Sequence, residues 1–286
     1  MNIQTTKIDT RLPVTVLSGF LGAGKTTIIR SLLQSAQGKR IALIINEFGD
    51  LGVDGDVLKG CGVETCTEDD IVELTNGCIC CTVADDFIPT ITKLMESDRR
   101  PDHIVIETSG LALPQPLVNA FNWPDIRERV TVDGVVTVVD SAAVAEGRFA
   151  DDHDAVQAQR QEDESLDHES PLEELFEDQI TCADMIVLNK TDLLATESLA
   201  AVEGEVRNAT ERRVKLIRVG LGNAPGADIL LGLGVGSETD IENRKSHHEI
   251  HHADGHEHDH DEFESFVVEG GSVSNVKNHE ESVENS

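Results

Sequence analysis

The 286-residue sequence is short of cysteine, of positive charge and of long hydrophobic runs. Each shortage excludes something. No apolar stretch approaches the roughly 20 residues that span a bilayer, so neither a membrane-spanning helix nor a membrane partner is expected. The leading MNIQTTKIDTRLP lacks the apolar core of a secretion signal, and a cytoplasmic protein is the expectation. Lys and Arg number 23 against 54 Asp and Glu, for a formal net charge of −31. Such a balance argues against nucleic acid as a partner, because phosphate backbones are bound by clustered Lys and Arg. It favours cations or basic protein surfaces. Six Cys are too few for a disulfide scaffold at this length. What is present suffices for a buried core: 39% of residues are hydrophobic and 27% charged, and the length suits one or two domains.

The charge is uneven. Positions 146–184 carry 14 acidic and two basic residues, and seven of the 11 His lie within 247–260 among Asp and Glu. Both stretches read as solvated insertions rather than core. Elsewhere short apolar runs alternate with helix-like segments. Strands are expected at 12–17 (LPVTVL), 40–46 (RIALIIN), 103–107 (HIVIE), 134–140 (GVVTVVD), 185–189 (MIVLN) and 214–219 (VKLIRV). A shorter apolar run lies at 71–74, and helices are expected over 26–35 and 86–97. This alternation predicts an α/β fold, a largely parallel sheet flanked by helices on both faces. The Gly-rich stretch 220–236 reads as loop or linker. Residues 263–268 (FESFVV) could open one more strand, and the polar remainder reads as disordered.

Between the first strand and first helix stands Gly19-Phe20-Leu21-Gly22-Ala23-Gly24-Lys25-Thr26, which fits GxxxxGK[ST] at every fixed position. Strand before and helix after is the context that turns this pattern into a phosphate-binding loop of a P-loop NTPase. Gly19, Gly22, Ala23, Gly24 and Thr27 would present backbone N–H groups to phosphates at a helix N-terminus. Lys25 would reach the β- and γ-phosphates and is a candidate catalytic residue; Thr26 would ligate Mg²⁺. Asn189-Lys190-Thr191-Asp192 follows the strand MIVLN. A carboxylate at such a strand end can accept from the N1–H and N2–H₂ edge of guanine, which adenine lacks, so Asn189, Lys190 and Asp192 are candidate base-binding residues. Glu107-Thr108-Ser109-Gly110 ends the strand HIVIE, where switch-type NTPases keep an acidic residue near Mg²⁺ and the γ-phosphate. Glu107 is therefore a second candidate catalytic residue, ordering the attacking water or the metal site.

Cys78, Cys80 and Cys81 sit in TNGCICCT. Neighbouring Cys bridge only with strain, whereas closely spaced thiolates can share one ion, completed by water, a carboxylate or a His. Thiolates suit Zn²⁺ and tetrahedral Co²⁺, and intrinsic affinity favours Zn²⁺. Cys61 and Cys66 stay unassigned, and Cys182, at a predicted helix end, reads as structural. His247, His248, His251, His252, His256, His258 and His260 have two readings, a weak feeder of ions to the thiolates or a solvated linker with incidental affinity.

GFLGAGKTT, NEFGD, ELTNGCICCTV, IVIETSG and NKTD, in this order, resemble the CobW family of metal-handling P-loop GTPases, relatives of the nickel chaperones of urease and hydrogenase. The match spans about 12–194 plus the His-rich stretch. GRFADDHDAVQAQR and DESLDHESPLEELFEDQI resemble the acidic insert of the branch associated with aerobic cobalamin biosynthesis. The resemblance implies a GTP- and Mg²⁺-dependent GTPase that carries Co²⁺ at Cys78, Cys80 and Cys81 to the cobaltochelatase that loads the corrin ring. The alternatives are Zn²⁺ as cargo, or a store or sensor that does not hydrolyse GTP. It also implies a second α/β domain after the His-rich stretch, of which only 263–268 resembles the first strand. The expected organisation is a GTPase domain over 1–222 with its acidic insert near 146–184, a linker over 223–262, and a shortened C-terminal remnant over 263–286.

Overall fold

The computed structural model describes residues 11–46, 71–74, 87–150, 156, 171–210 and 212–244, with the backbone alone at 46 and 71–74. All lie in one compact unit, Met1–His247. The strands are β1 (Leu12–Ser18), β2 (Ile41–Asn46), β3 (Ile71–Leu74), β4 (His103–Glu107), β5 (Val130–Asp140), β6 (Met185–Asn189) and β7 (Lys215–Arg218). They form one sheet in the order β3-β2-β4-β1-β5-β6-β7, and every neighbouring pair is parallel. From β1 the chain skips one place to β2, adds β3 at the edge, returns to lay β4 between β2 and β1, and then crosses to the other side of β1 to add β5, β6 and β7. Ligands of such sheets bind outside the carboxyl ends of the strands where the order reverses, which here is beside β1.

Alternation along the strands divides the core between two faces. Val14, Val16, Ile44, Ile104 and Ile106 face a cluster completed by helices α2 (Ile88–Glu96) and α3 (Pro114–Ala120), with Phe87 edge-on to Phe121. Leu17, Leu43, Ile45, Val105 and Val187 face α1 (Lys25–Gln34), whose Ile28, Ile29, Leu32 and Leu33 form a buried stripe. Beyond β5, Val139, Ile186 and Leu188 pack under α4 (Ser141–Ala145), α5 (Leu172–Cys182) and α6 (Thr196–Asn208).

Two sequence expectations are corrected. The region 146–184 is not solvated throughout: α5 belongs to the core, with Leu175, Phe176, Gln179 and Ile180 buried. Its acidic count concealed a helical stripe. Leu172, Leu175, Phe176, Gln179 and Ile180 recur at helical spacing, while Glu173 and Glu174 occupy the first turn, where they favour the positive end of the helix dipole. Residues 223–244 are likewise no free linker. A short helix α7 (Ala227–Leu230) buries Ala227 and Leu230 against the α1 face, tied by the Ala227 N–H donating to Ser35 Oγ at 2.8 Å.

The rest of this strap is held by three buried carboxylates near the amino ends of the strands. A bulge opposite Val14 and Thr15 leaves Asp133 as the extra residue of β5. Its carboxylate accepts the N–H groups of Gly232, Leu233 and Gly234 at 2.7, 3.1 and 2.8 Å. Glu238 accepts from Thr131 Oγ1 at 2.7 Å, the Val132 N–H at 2.9 Å and Arg11 at 3.1 Å. Asp184 accepts from Ser237 Oγ at 2.6 Å and from the fully buried Arg244 at 2.8 Å. Composition marked the stretch as linker because its glycines were read without these partners. The expected strand at 263–268 and the remnant over 263–286 lie outside the described residues.

Candidate functional site

The phosphate-loop sequence takes its shape from its glycines. Gly19, Gly22 and Gly24 have φ of 138°, 74° and 101°, a region L side chains rarely adopt. At Gly19 the backbone of β5 leaves no room either, since a Cβ would lie 2.3 Å from the Val138 carbonyl oxygen. At Gly24 a Cβ would meet the Asn189 amide at 2.3 Å. Helix α1 starts at Lys25, directly after this turn. Lys25 is buried, and its ammonium donates to the carbonyls of Gly19 at 2.8 Å and Phe20 at 3.3 Å, so it folds over the loop it belongs to. Thr26 is half-buried beside it and Thr27 is exposed. Ala23 is buried, and its carbonyl faces β6.

The Asn189–Asp192 segment comes to the same end of the sheet. Asn189 Nδ2 donates to the Ala23 carbonyl at 2.7 Å, joining this segment to the phosphate loop. Lys190 adopts a left-handed conformation, φ 57°, and its ammonium lies 2.5 Å from Asp140 Oδ2. Asp140 is fully buried in its side chain and caps α4 through the N–H groups of Ala142 and Ala143. Thr191 bonds the Val219 carbonyl through both N–H and hydroxyl, at 3.0 Å each. Asp192 is exposed, and its Oδ1 accepts the Leu221 N–H at 2.9 Å, which orients the carboxylate. Leu193 and Leu221 flank it with apolar surface, 65% and 92% exposed. A carboxylate held this way keeps acceptor capacity for two donors on one edge of a planar base.

Glu107 ends β4 opposite Leu17 and is buried. The Thr108 N–H donates to the Leu17 carbonyl at 3.0 Å, which holds the following loop beside the phosphate loop. The hydroxyls of Ser18 and Ser109, both buried at these adjacent strand ends, have no partner among the described residues. Sequence reasoning missed several residues here. Asp140 was legible in principle, because an Asp ending an apolar strand before Ser-Ala-Ala is an N-cap signature. Leu221, Gln179 and Phe20 gave no signal, since their roles depend on distant partners.

The phosphate-loop sequence and the Asn189–Asp192 segment, joined at the carboxyl edge of a parallel sheet, accompany a direct family match: residues 13–217 fit the CobW/HypB/UreG nucleotide-binding domain. The chain belongs to the CobW/HypB/UreG family. It is 73% identical over 264 residues to a Sinorhizobium relative named zinc chaperone CobW, covering 92% of this chain and 74% of that one. It is 51% identical to the Pseudomonas aeruginosa zinc chaperone CobW, covering 84% of this chain and 64% of that one. The Zn(II)-bound YjiA GTPase of E. coli shares the fold, with a TM-score of 0.52 at 24% identity over 78% of this chain and 62% of that one. The metal ligands expected from the sequence, Cys78, Cys80 and Cys81, and the His-rich stretch lie outside the described residues. Among the described residues no group of three or more His, Cys, Asp or Glu could hold a metal ion. Cys182 ends α5 in the core, and burial pushes its thiol up to about 12, as suits a structural residue.

Proposed function

We propose that this protein is a GTP-dependent metal chaperone that carries Zn²⁺ at Cys78, Cys80 and Cys81 and releases it when GTP is hydrolysed. The observation that carries the nucleotide half is the bond from Asn189 to the Ala23 carbonyl, which closes the base segment onto the phosphate loop. In this reading the loop amides and the N-terminus of α1 bind the phosphates, and Lys25 exchanges its loop carbonyls for the β- and γ-phosphates. Asp192 accepts from guanine, with Leu193 and Leu221 beside the ring faces. Mg²⁺ fits the donor set, with the Thr26 hydroxyl in the first turn of α1 as its protein ligand and the buried Glu107 carboxylate at the neighbouring strand end. Bound Mg²⁺ supplies charge neutralisation between the phosphates. The unmet hydroxyls of Ser18 and Ser109 at the same edge support a polar ligand there.

The names of the relatives favour zinc as cargo, and the intrinsic affinity of thiolate sites points the same way. Co²⁺, with the cobaltochelatase as recipient, is the reading that the acidic insert suggested. The two are separated by metal competition on the purified protein with Mg²⁺ and either GTPγS or GDP. Zn²⁺ held more tightly in the GTPγS state, with Co²⁺ excluded, is the expected result. Preferential Co²⁺ binding restores the cobalt reading. Equal metal affinity in both nucleotide states removes the chaperone cycle, because hydrolysis cannot then drive release.

A further inference from the structure

Helix α5 touches the nucleotide machinery at two places. Toward its middle, Phe176 packs edge-on against Phe20 of the phosphate loop, ring centroids 6.1 Å apart, and Phe149 closes the cluster at 4.9 Å from Phe176 and 6.1 Å from Phe20. Three residues on, Gln179 is 1% exposed, and its Nε2 donates to two carbonyls of the loop after β4, Gly110 and Ala112, both at 3.1 Å. The reverse amide orientation would set an oxygen against two carbonyl oxygens, so the donor assignment is fixed by its partners. The backbone at Gln179 is itself anchored, its carbonyl accepting from Thr137 Oγ1 at 3.1 Å. Thr137 pairs with Ser18, the last residue before the phosphate loop.

We propose that Gln179 is a positioning residue for GTP hydrolysis, fixing the backbone of the loop that begins at Glu107 while Phe176 braces the phosphate loop from the same helix. This rests on the GTPase reading above. A peptide plane points its C=O and N–H in opposite directions, so holding the Gly110 carbonyl against α5 turns the Leu111 N–H away from the helix. One amide clamping two carbonyls of a short loop sets two peptide orientations at once. The Ala112 N–H, which bonds back to the Ser109 carbonyl at 3.2 Å, closes the turn between them. Glu107 and the groups that follow it then sit at a fixed distance from the phosphate loop. Small displacements of such groups cost large factors in rate and little in substrate binding.

The test is Gln179→Met, which keeps length and burial but removes the donors. In steady-state GTPase assays kcat falls about tenfold to hundredfold. KM for GTP and the affinity for GDP stay within about twofold of wild type, while the thermal midpoint falls by several degrees because two buried carbonyls lose their donor. Hydrogen exchange rises in peptides covering 110–113 and not in those covering α1. A variant with wild-type kcat, or with KM for GTP and GDP affinity degraded as much as kcat, overturns the positioning role. Wild-type protein that binds GTP without turnover overturns the GTPase reading instead. The exchange measurement then decides alone whether Gln179 fixes the loop, and unchanged exchange at 110–113 rejects it.

Discussion

The two ends of the sheet are built on different principles. At the carboxyl end, Gly19, Gly22 and Gly24 hold left-handed turns, Lys25 folds onto its own loop, and buried hydroxyls at Ser18 and Ser109 have no partner among the described residues. At the amino end, Asp133 and Asp184 accept several donors from the strap 232–244, and Glu238, on the strap itself, accepts from Thr131, Val132 and Arg11. One end leaves hydroxyls unmet among the described residues, and the other uses its polar groups to close the fold. Polar groups left open are costly unless a ligand answers them, so such groups gather where binding occurs. Variants at the amino end should therefore change stability and leave nucleotide binding intact, with the reverse at the carboxyl end.

The largest effect expected is at Asp184. Asp184→Ala strands the buried Arg244 guanidinium, and losing one partner of such a pair costs about 3–5 kcal/mol. Urea unfolding measures this, and GDP affinity at a denaturant-free reference should be unchanged; a large loss of GDP affinity would mean that the two ends are not separable. Next comes Asp192→Asn at the other end. Guanine affinity should drop about a thousandfold and preference should shift toward xanthine nucleotides, which present a carbonyl where guanine presents an amine. Fluorescent-nucleotide titration reads this, with an unfolding midpoint equal to wild type.

His103 sharpens the amino-end case. Burial lowers its pKa to about 4, against the opposing pull of Asp133, and its Nε2 lies 2.8 Å from Thr15 Oγ1. The unfolded chain takes up a proton at this position below about pH 6.5 and the folded chain does not, so stability falls with pH between about 6.5 and 4. His103 contributes about 3 kcal/mol to that fall. His103→Asn should flatten the acid limb by this amount, measured as unfolding free energy from pH 4 to 7. An equally steep limb in the variant would show that His103 is not responsible. The smallest expected effect is Gly19→Ala. The added Cβ collides with the Val138 carbonyl, and the resulting strain of about 1–3 kcal/mol should lower GDP affinity about tenfold to hundredfold.

The sequence carried the phosphate loop and the Asn189–Asp192 segment openly, because each is a contiguous set of residues following an apolar strand. It also carried six of the strands by periodicity, and the run at 71–74 proved to be the seventh, at the sheet edge. It placed a helix end at Cys182, but it did not carry the buried face of α5 or the strap. In α5 the interleaved acidic residues mask the buried stripe, and only the packing of Leu175, Phe176 and Ile180 against the β6 side reveals which face is which. In the strap the glycines resemble a linker until Asp133 is seen to accept three successive N–H groups from it.

What the sequence by itself determined was the local chemistry: where backbone must take positive φ, where a lysine and a carboxylate follow strands, and which stretches alternate as buried parallel strands. Those properties depend on a residue and its near neighbours. The tertiary structure alone decided which carboxylates close the fold, that Asn189 joins the Asn189–Asp192 segment to Ala23, and that Gln179 reaches the loop after β4. Each of these is a bond between residues far apart in the chain, whose partners are chosen by strand order and by the bulge at Asp133. Local patterning does not encode that geometry; the assembled sheet does.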